Sequence, residues 1–170
     1  MNSPRLCLSR AGADAVSYTH LADRFDDTPV VDAAVRFAAA RGAPLLLIAV
    51  LPPLPPRAVA TRPDGAAARA VLGRALPRAA RAGVPCRPAV YHRPAGRDGR
   101  LYAAKGLLDV AITHRCSLLV VSCTGPAGLD AGTVTEAATI RGGPPIHVAP
   151  AAPWVPLAAS RPPADASRGW

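Results

Sequence analysis

Residues 45–51 read Leu45-Leu46-Leu47-Ile48-Ala49-Val50-Leu51, an apolar run without a single polar interruption. A strand with one face in water alternates apolar and polar residues. A strand covered by helices on both faces is apolar throughout. The length of this run, and its place after a helical pattern, mark it as a buried strand of a parallel sheet. A second run, Ser117-Leu118-Leu119-Val120-Val121, within Cys116 to Ser122, has the same character and is the strongest strand signal in the chain.

Upstream of Leu45, Val30, Ala33, Ala34, Phe37 and Ala38 recur at helical spacing, and the pattern stops at Arg41-Gly42. Thr28 before Pro29 predicts a capping hydroxyl followed by proline at the first helical position. Asp26 and Asp27 add negative charge near the positive end of the helix dipole. Earlier still, Val16, Tyr18 and His20 alternate with Ser17 and Thr19, the period of a strand, with Leu6 to Leu8 as a competing first strand.

Downstream, the proline-rich stretch Pro52 to Gly65 reads as an exposed loop, and Ala66 to Leu76 as an alanine-rich helix that Pro77 breaks or kinks, with a helical continuation to Ala82, ended by Gly83, as the alternative. Val84 to Tyr91 predicts an edge strand weakened by Pro85 and Pro88. Leu101 to Arg115 carries Leu107, Leu108, Val110, Ala111 and Ile112 at helical spacing. After the second apolar run comes a glycine-rich turn, Cys123 to Gly132. Thr133-Val134-Thr135-Glu136 then fits a capping box, Thr133 capping forward and Glu136 reaching back. A helix ending at Gly142-Gly143-Pro144 leads to a last short strand, Pro145 to Ala149.

Strands alternating with helices imply right-handed crossovers, helices on both faces and therefore a three-layer α/β/α domain. The expected organisation is an extension over residues 1–14, one domain over 15–150 and a disordered tail over 151–170. In such sheets ligands sit at the carboxyl ends of the strands, where the winding direction reverses.

Composition narrows the function. The apolar stretch Ala43 to Leu51 is far shorter than the ~20 residues needed to cross a bilayer. The first residues lack the apolar core of a secretory signal, so the expected location is cytoplasmic. Cys7, Cys86, Cys116 and Cys123 form no C-x-x-C pair, and His114 beside Cys116 is the one close metal-capable partner, which predicts no metal site.

The net charge of +9 accompanies a single lysine, Lys105, and a single glutamate, Glu136, in a chain crowded with Ala, Arg, Pro and Gly. Its arginines are scattered and its aromatics few, so no nucleic-acid partner is expected. The densest group, Arg93, Arg97 and Arg100, reads as a solvated loop, with weak polyanion binding as the alternative. Ser122 has no G-x-S-x-G elbow, there is no Walker-type lysine, and His20, His92, His114 and His147 lack an acid partner in sequence. No catalytic set emerges, and an enzyme is not expected.

The block Val30 to Val50, with Arg41-Gly42-Ala43 before the apolar run, resembles the first helix and second strand of universal stress proteins. The likeness continues through Gly83-Val84. It is strongest over Leu107-Leu108-Asp109-Val110-Ala111, Ser117 to Val121, the glycine turn, Gly132-Thr133-Val134 and Pro145-Ile146-His147-Val148. The resemblance implies a five-stranded parallel sheet in order 3-2-1-4-5, of the kind shared with adenine nucleotide alpha hydrolases. It also implies a homodimer formed through the fifth strand.

Nucleotide-binding members of that family carry Gly-x2-Gly-x9-Gly-Ser/Thr after the fourth strand. Glycines let backbone N–H groups approach phosphate, and the closing pair opens a helix whose N-terminus favours anions. Here Ser122 stands at the first glycine position, Gly125 at the second and Gly132-Thr133 at the closing pair. Gly128 lies inside a spacer of six residues where the family has nine. At the adenine end, the resemblance implies Asp23 after the first strand, if a small insertion is allowed, and Val50 at the end of the second. Two functions stay open: a stress-type regulator binding ATP or another adenine nucleotide, and a nucleotide-free dimeric interaction module of the same fold.

Overall fold

In the computed structural model, residues 14–20, 27–53, 64–95, 99, 101–125 and 128–150 are described. The competing strand Leu6 to Leu8, Asp23, Arg97, Arg100, the extension before Asp14 and the tail from residue 151 lie outside them. Chain order is β1 (Asp14–His20), α1 (Asp27–Arg41), β2 (Leu45–Leu51), α2 (Asp64–Arg81), β3 (Cys86–His92), α3 (Tyr102–Thr113), β4 (Cys116–Ser122), α4 (Ala131–Arg141) and β5 (Ile146–Ala149). All strand pairs are parallel, and the sheet runs β3-β2-β1-β4-β5.

The apolar run at β2 is buried at all seven positions. Because side chains alternate across a sheet, Leu45, Leu47, Ala49 and Leu51 pack with Val30, Ala34, Ala38, Leu72 and Ala79 from α1 and α2. Leu46, Ile48 and Val50 pack with Leu107, Leu108, Val134 and Ala137 from α3 and α4. β4 divides in the same way, Leu118 and Val120 to the first side, Leu119 and Val121 to the second. Two helical layers thus cover one sheet, as the unbroken apolarity of these strands requires.

Several local expectations are corrected. α1 begins at Asp27, so Thr28 lies inside the helix rather than capping it. Pro29 still falls in the first turn, where its missing N–H has no intrahelical partner to lose. α2 begins at Asp64, two residues before the expected Ala66, and runs through Pro77 to Arg81, which is the continuation left open as the alternative. Ala68, Leu72, Ala75 and Ala79 bury one face of α2 across the proline, while Gly73 and Pro77 lie on its exposed side. The carbonyl that loses its donor there faces water, so packing outweighs the proline penalty.

β3 is an edge strand that tolerates Pro88 for a geometric reason. The Leu45 N–H donates to the Pro85 carbonyl (2.8 Å) and the Arg93 N–H donates to the Leu51 carbonyl (3.0 Å). Odd-numbered residues of β3 therefore face β2, and the N–H that Pro88 lacks would have pointed away from the sheet. β1 meets β4 with a register shift between Asp14 and Ala15, whose partners Cys116 and Leu118 leave Ser117 as an extra residue on β4. Among the described residues, no helix is long and apolar enough to cross a membrane.

Candidate functional site at the carboxyl end of β4

β1 pairs with β2 as far as His20–Val50, but with β4 only as far as Ser17–Val120. β4 continues to Ser122, paired there with β5. The ladder between β1 and β4 thus stops short of the carboxyl ends of both strands. This is where the winding direction reverses and where a crevice is expected.

Val50 is 2% exposed, and its side chain belongs to the core under α3 and α4. Ser122 closes β4, and its hydroxyl accepts the Thr124 N–H at 3.2 Å and lies 3.4 Å from the Thr124 hydroxyl. That hydroxyl is thereby committed to a tight local turn, a usual role for serine at a strand end.

The glycine loop folds on itself. A methyl group on Gly125 would lie 2.0 Å from the Leu129 carbonyl oxygen and 2.7 Å from the Asp130 nitrogen, so only glycine allows this backbone approach. Gly128 takes φ +81°, a left-handed conformation suited to glycine. Leu129 is fully buried with Leu119, Val121 and Val134, and it anchors the loop against the core.

Asp130 is the residue that sequence reasoning missed. It is the N-cap of α4, in extended conformation, and its Oδ1 accepts the Thr133 N–H at 3.0 Å. Its Oδ2 accepts the Thr133 hydroxyl at 2.7 Å. The expected capping box from Thr133 to Glu136 is therefore displaced by one turn: Thr133 is the third helical residue, and Gly132 the second. Thr133 is buried to 3% exposure, whereas Gly132 is exposed. The missed signal is an aspartate three residues before a threonine, a capping pattern overlapping the one chosen. The earlier start wins because it adds a turn that seats Thr133 and Val134 in the core beside Leu129.

Ser122, Gly125, Gly128, Gly132 and Thr133 are thus gathered around one loop, with Val50 two strands away across β1. The histidines are dispersed. His92 Nδ1 lies 3.1 Å from the Pro52 carbonyl, His147 stacks edge-on against Phe37 at 4.7 Å, and His114 follows α3. Among the described residues, no three His, Cys, Asp or Glu side chains converge as a metal site. The ionisable groups with displaced pKa lie elsewhere: burial raises Cys86, and burial, then the charges of Tyr102 and Asp109, push Tyr91 up to about 12 against the opposing Arg93.

The sequence matches no protein-family model, and no curated protein matches it. Solved structures do. A universal stress protein family member from Burkholderia pseudomallei is 22% identical, with 81% of this chain and 96% of that one covered at a TM-score of 0.55. The universal stress protein from Archaeoglobus fulgidus in complex with dAMP is 15% identical, covering 82% and 98%, at 0.59. A universal stress protein in complex with cAMP is 22% identical, covering 82% and 99%, at 0.53. At these identities the likeness speaks for architecture: the chain has the fold of the universal stress proteins.

Proposed function

We propose that the protein is a non-catalytic regulatory module of the stress-protein type, cytoplasmic and homodimeric, whose crevice does not take ATP. The observation that carries this reading is the Asp130 carboxylate, which occupies the N-terminus of α4 where a phosphate chain would sit. The carboxylate already accepts the Thr133 N–H and hydroxyl, the donors that a phosphate at this helix N-terminus would use. The closure of Gly125 onto Leu129 adds a steric argument, because no phosphate oxygen fits between these two backbones.

Dimerisation through β5 is supported by the two sheet edges. β3 carries Pro88 facing outward, which blunts it, whereas Ile146 to Ala149 holds no proline and leaves Val148 41% exposed. A second reading, a mononucleotide held in the crevice without reaching α4, is favoured by the neighbours solved with dAMP and cAMP.

Calorimetric titration of the nucleotide-stripped protein with Mg-ATP and with AMP tests both. The expected result is no heat with ATP. Micromolar ATP affinity in the wild-type protein would overturn the proposal, and heat with AMP alone would select the second reading.

A further inference from the structure

The arginines that look scattered along the chain are gathered by the fold. α1 and α2 pack on the same side of the sheet. They carry Arg36, Arg41, Arg69, Arg74, Arg78 and Arg81, all exposed except Arg78, which is half-buried. The acids of these helices are Asp27 and Asp64, at their first residues, and Asp32, which is ion-paired with Arg78 at 2.8 Å. The opposite layer is balanced: α3 and α4 carry Lys105 and Arg141 against Asp109 and Glu136, with Arg141 paired to Asp109.

A chain-wide enrichment in arginine would load both layers alike, so composition does not explain the difference. Favourable placement at helix C-termini accounts for Arg41, Arg78 and Arg81 in the last turns. It does not account for Arg36, Arg69 or Arg74.

Both helices connect parallel strands, so they run in the same direction and end at the same edge of the sheet. Arg74, Arg78 and Arg81 follow the i, i+4, i+7 spacing of one helical face, spanning about 10 Å at about 1.5 Å per residue. Arg36 stands one turn beyond Asp32, the residue that joins α1 to this row.

We infer that the α1–α2 face binds the phosphate backbone of double-stranded nucleic acid, without reading bases. The guanidinium fork pairs bidentately with phosphate. Stacking of single strands needs exposed aromatics, and the aromatic residue of these helices, Phe37, is half-buried with the Arg41 guanidinium 5.3 Å above its ring. A membrane-surface helix needs a broad apolar stripe, and the one large apolar side chain described as exposed on α1 or α2 is Leu76.

The test is fluorescence anisotropy of the full chain with a short labelled duplex of mixed sequence, from about 50 mM to about 200 mM salt. Neutralising four or five phosphates at about 0.9 per contact gives a log–log slope near −4, hence about a 250-fold loss of affinity over that range. The variant Arg36→Glu/Arg74→Glu/Arg81→Glu is expected to lose at least about tenfold at the lower salt and to flatten the slope by about 3. Lys105→Glu is expected to change neither. If the triple variant unfolds, Arg36→Gln and Arg81→Gln decide, each flattening the slope by about 1. No binding at the lower salt, a flat salt response, tighter binding of a single strand or of anionic vesicles, or arginine variants that bind as wild type would each overturn the inference.

Discussion

Replacing Asp130 with alanine removes both acceptors that hold the start of α4. The N-cap bond to the Thr133 N–H contributes about 1 kcal/mol by analogy with other Asp-to-Ala caps. The second bond, to the Thr133 hydroxyl, leaves a donor buried at 3% exposure without its partner, at a cost of about 1–3 kcal/mol. Part of that cost is recoverable, since threonines on this helix back-bond to carbonyls four residues earlier, as Thr135 does to Ala131 and Thr139 to Thr135. The expected total is about 2 kcal/mol, equivalent to a fall in Tm of about 4–8 °C for a chain of this size. Asp130→Asn keeps an acceptor for the N–H and offers a donor to the hydroxyl, so it is expected to cost less than about 0.5 kcal/mol. Urea unfolding followed by circular dichroism, with m unchanged between variants, measures both. A loss below about 0.5 kcal/mol for Asp130→Ala would refute the capping role. Equal losses for the two variants would mean that charge, and not acceptor geometry, holds the helix.

Tyr91 provides a pH-dependent expectation. Its hydroxyl donates to the Ala103 carbonyl at 2.8 Å, and its pKa rises from 10.0 to about 12. The folded state therefore holds the proton more tightly than the unfolded chain. The stability it contributes is complete below pH 10.0 and is lost as pH rises through about 12. Ultraviolet titration should show a late tyrosine ionisation, and a Tyr91→Phe variant should lose it. Pro77→Ala is expected to raise stability by about 1–3 kcal/mol, because it restores a helical N–H on an exposed face of α2. A lower Tm would show that the proline is needed for the packing of α2.

How much was legible depended on whether a feature is local. Leu45 to Leu51 and Leu118 to Val121 could be read as strands because helices cover both faces, and burial on both faces leaves no polar position to confuse the pattern. The edge character of β3 followed from its prolines, since an edge strand has ladder positions that need no donor. Helix starts were misread at Thr28, one residue inside α1, and at Thr133. At the second, Asp130 offers a rival cap, and the earlier start wins because the added turn finds a buried seat.

The candidate site divides in the same way. Its glycines were visible as loop formers. Leu129 decides their arrangement, because its burial pulls Gly125 against the following backbone and places Asp130 over the helix N-terminus. The alternation of strands and helices and the apolar faces that build the sheet were readable from residue order, since these need only short-range periodicity. Tertiary packing settled the rest: an aspartate closes α4, α2 continues through Pro77, and two helices rich in arginine cover the same side of the sheet. Each of these rests on residues far apart in the chain being brought together by burial.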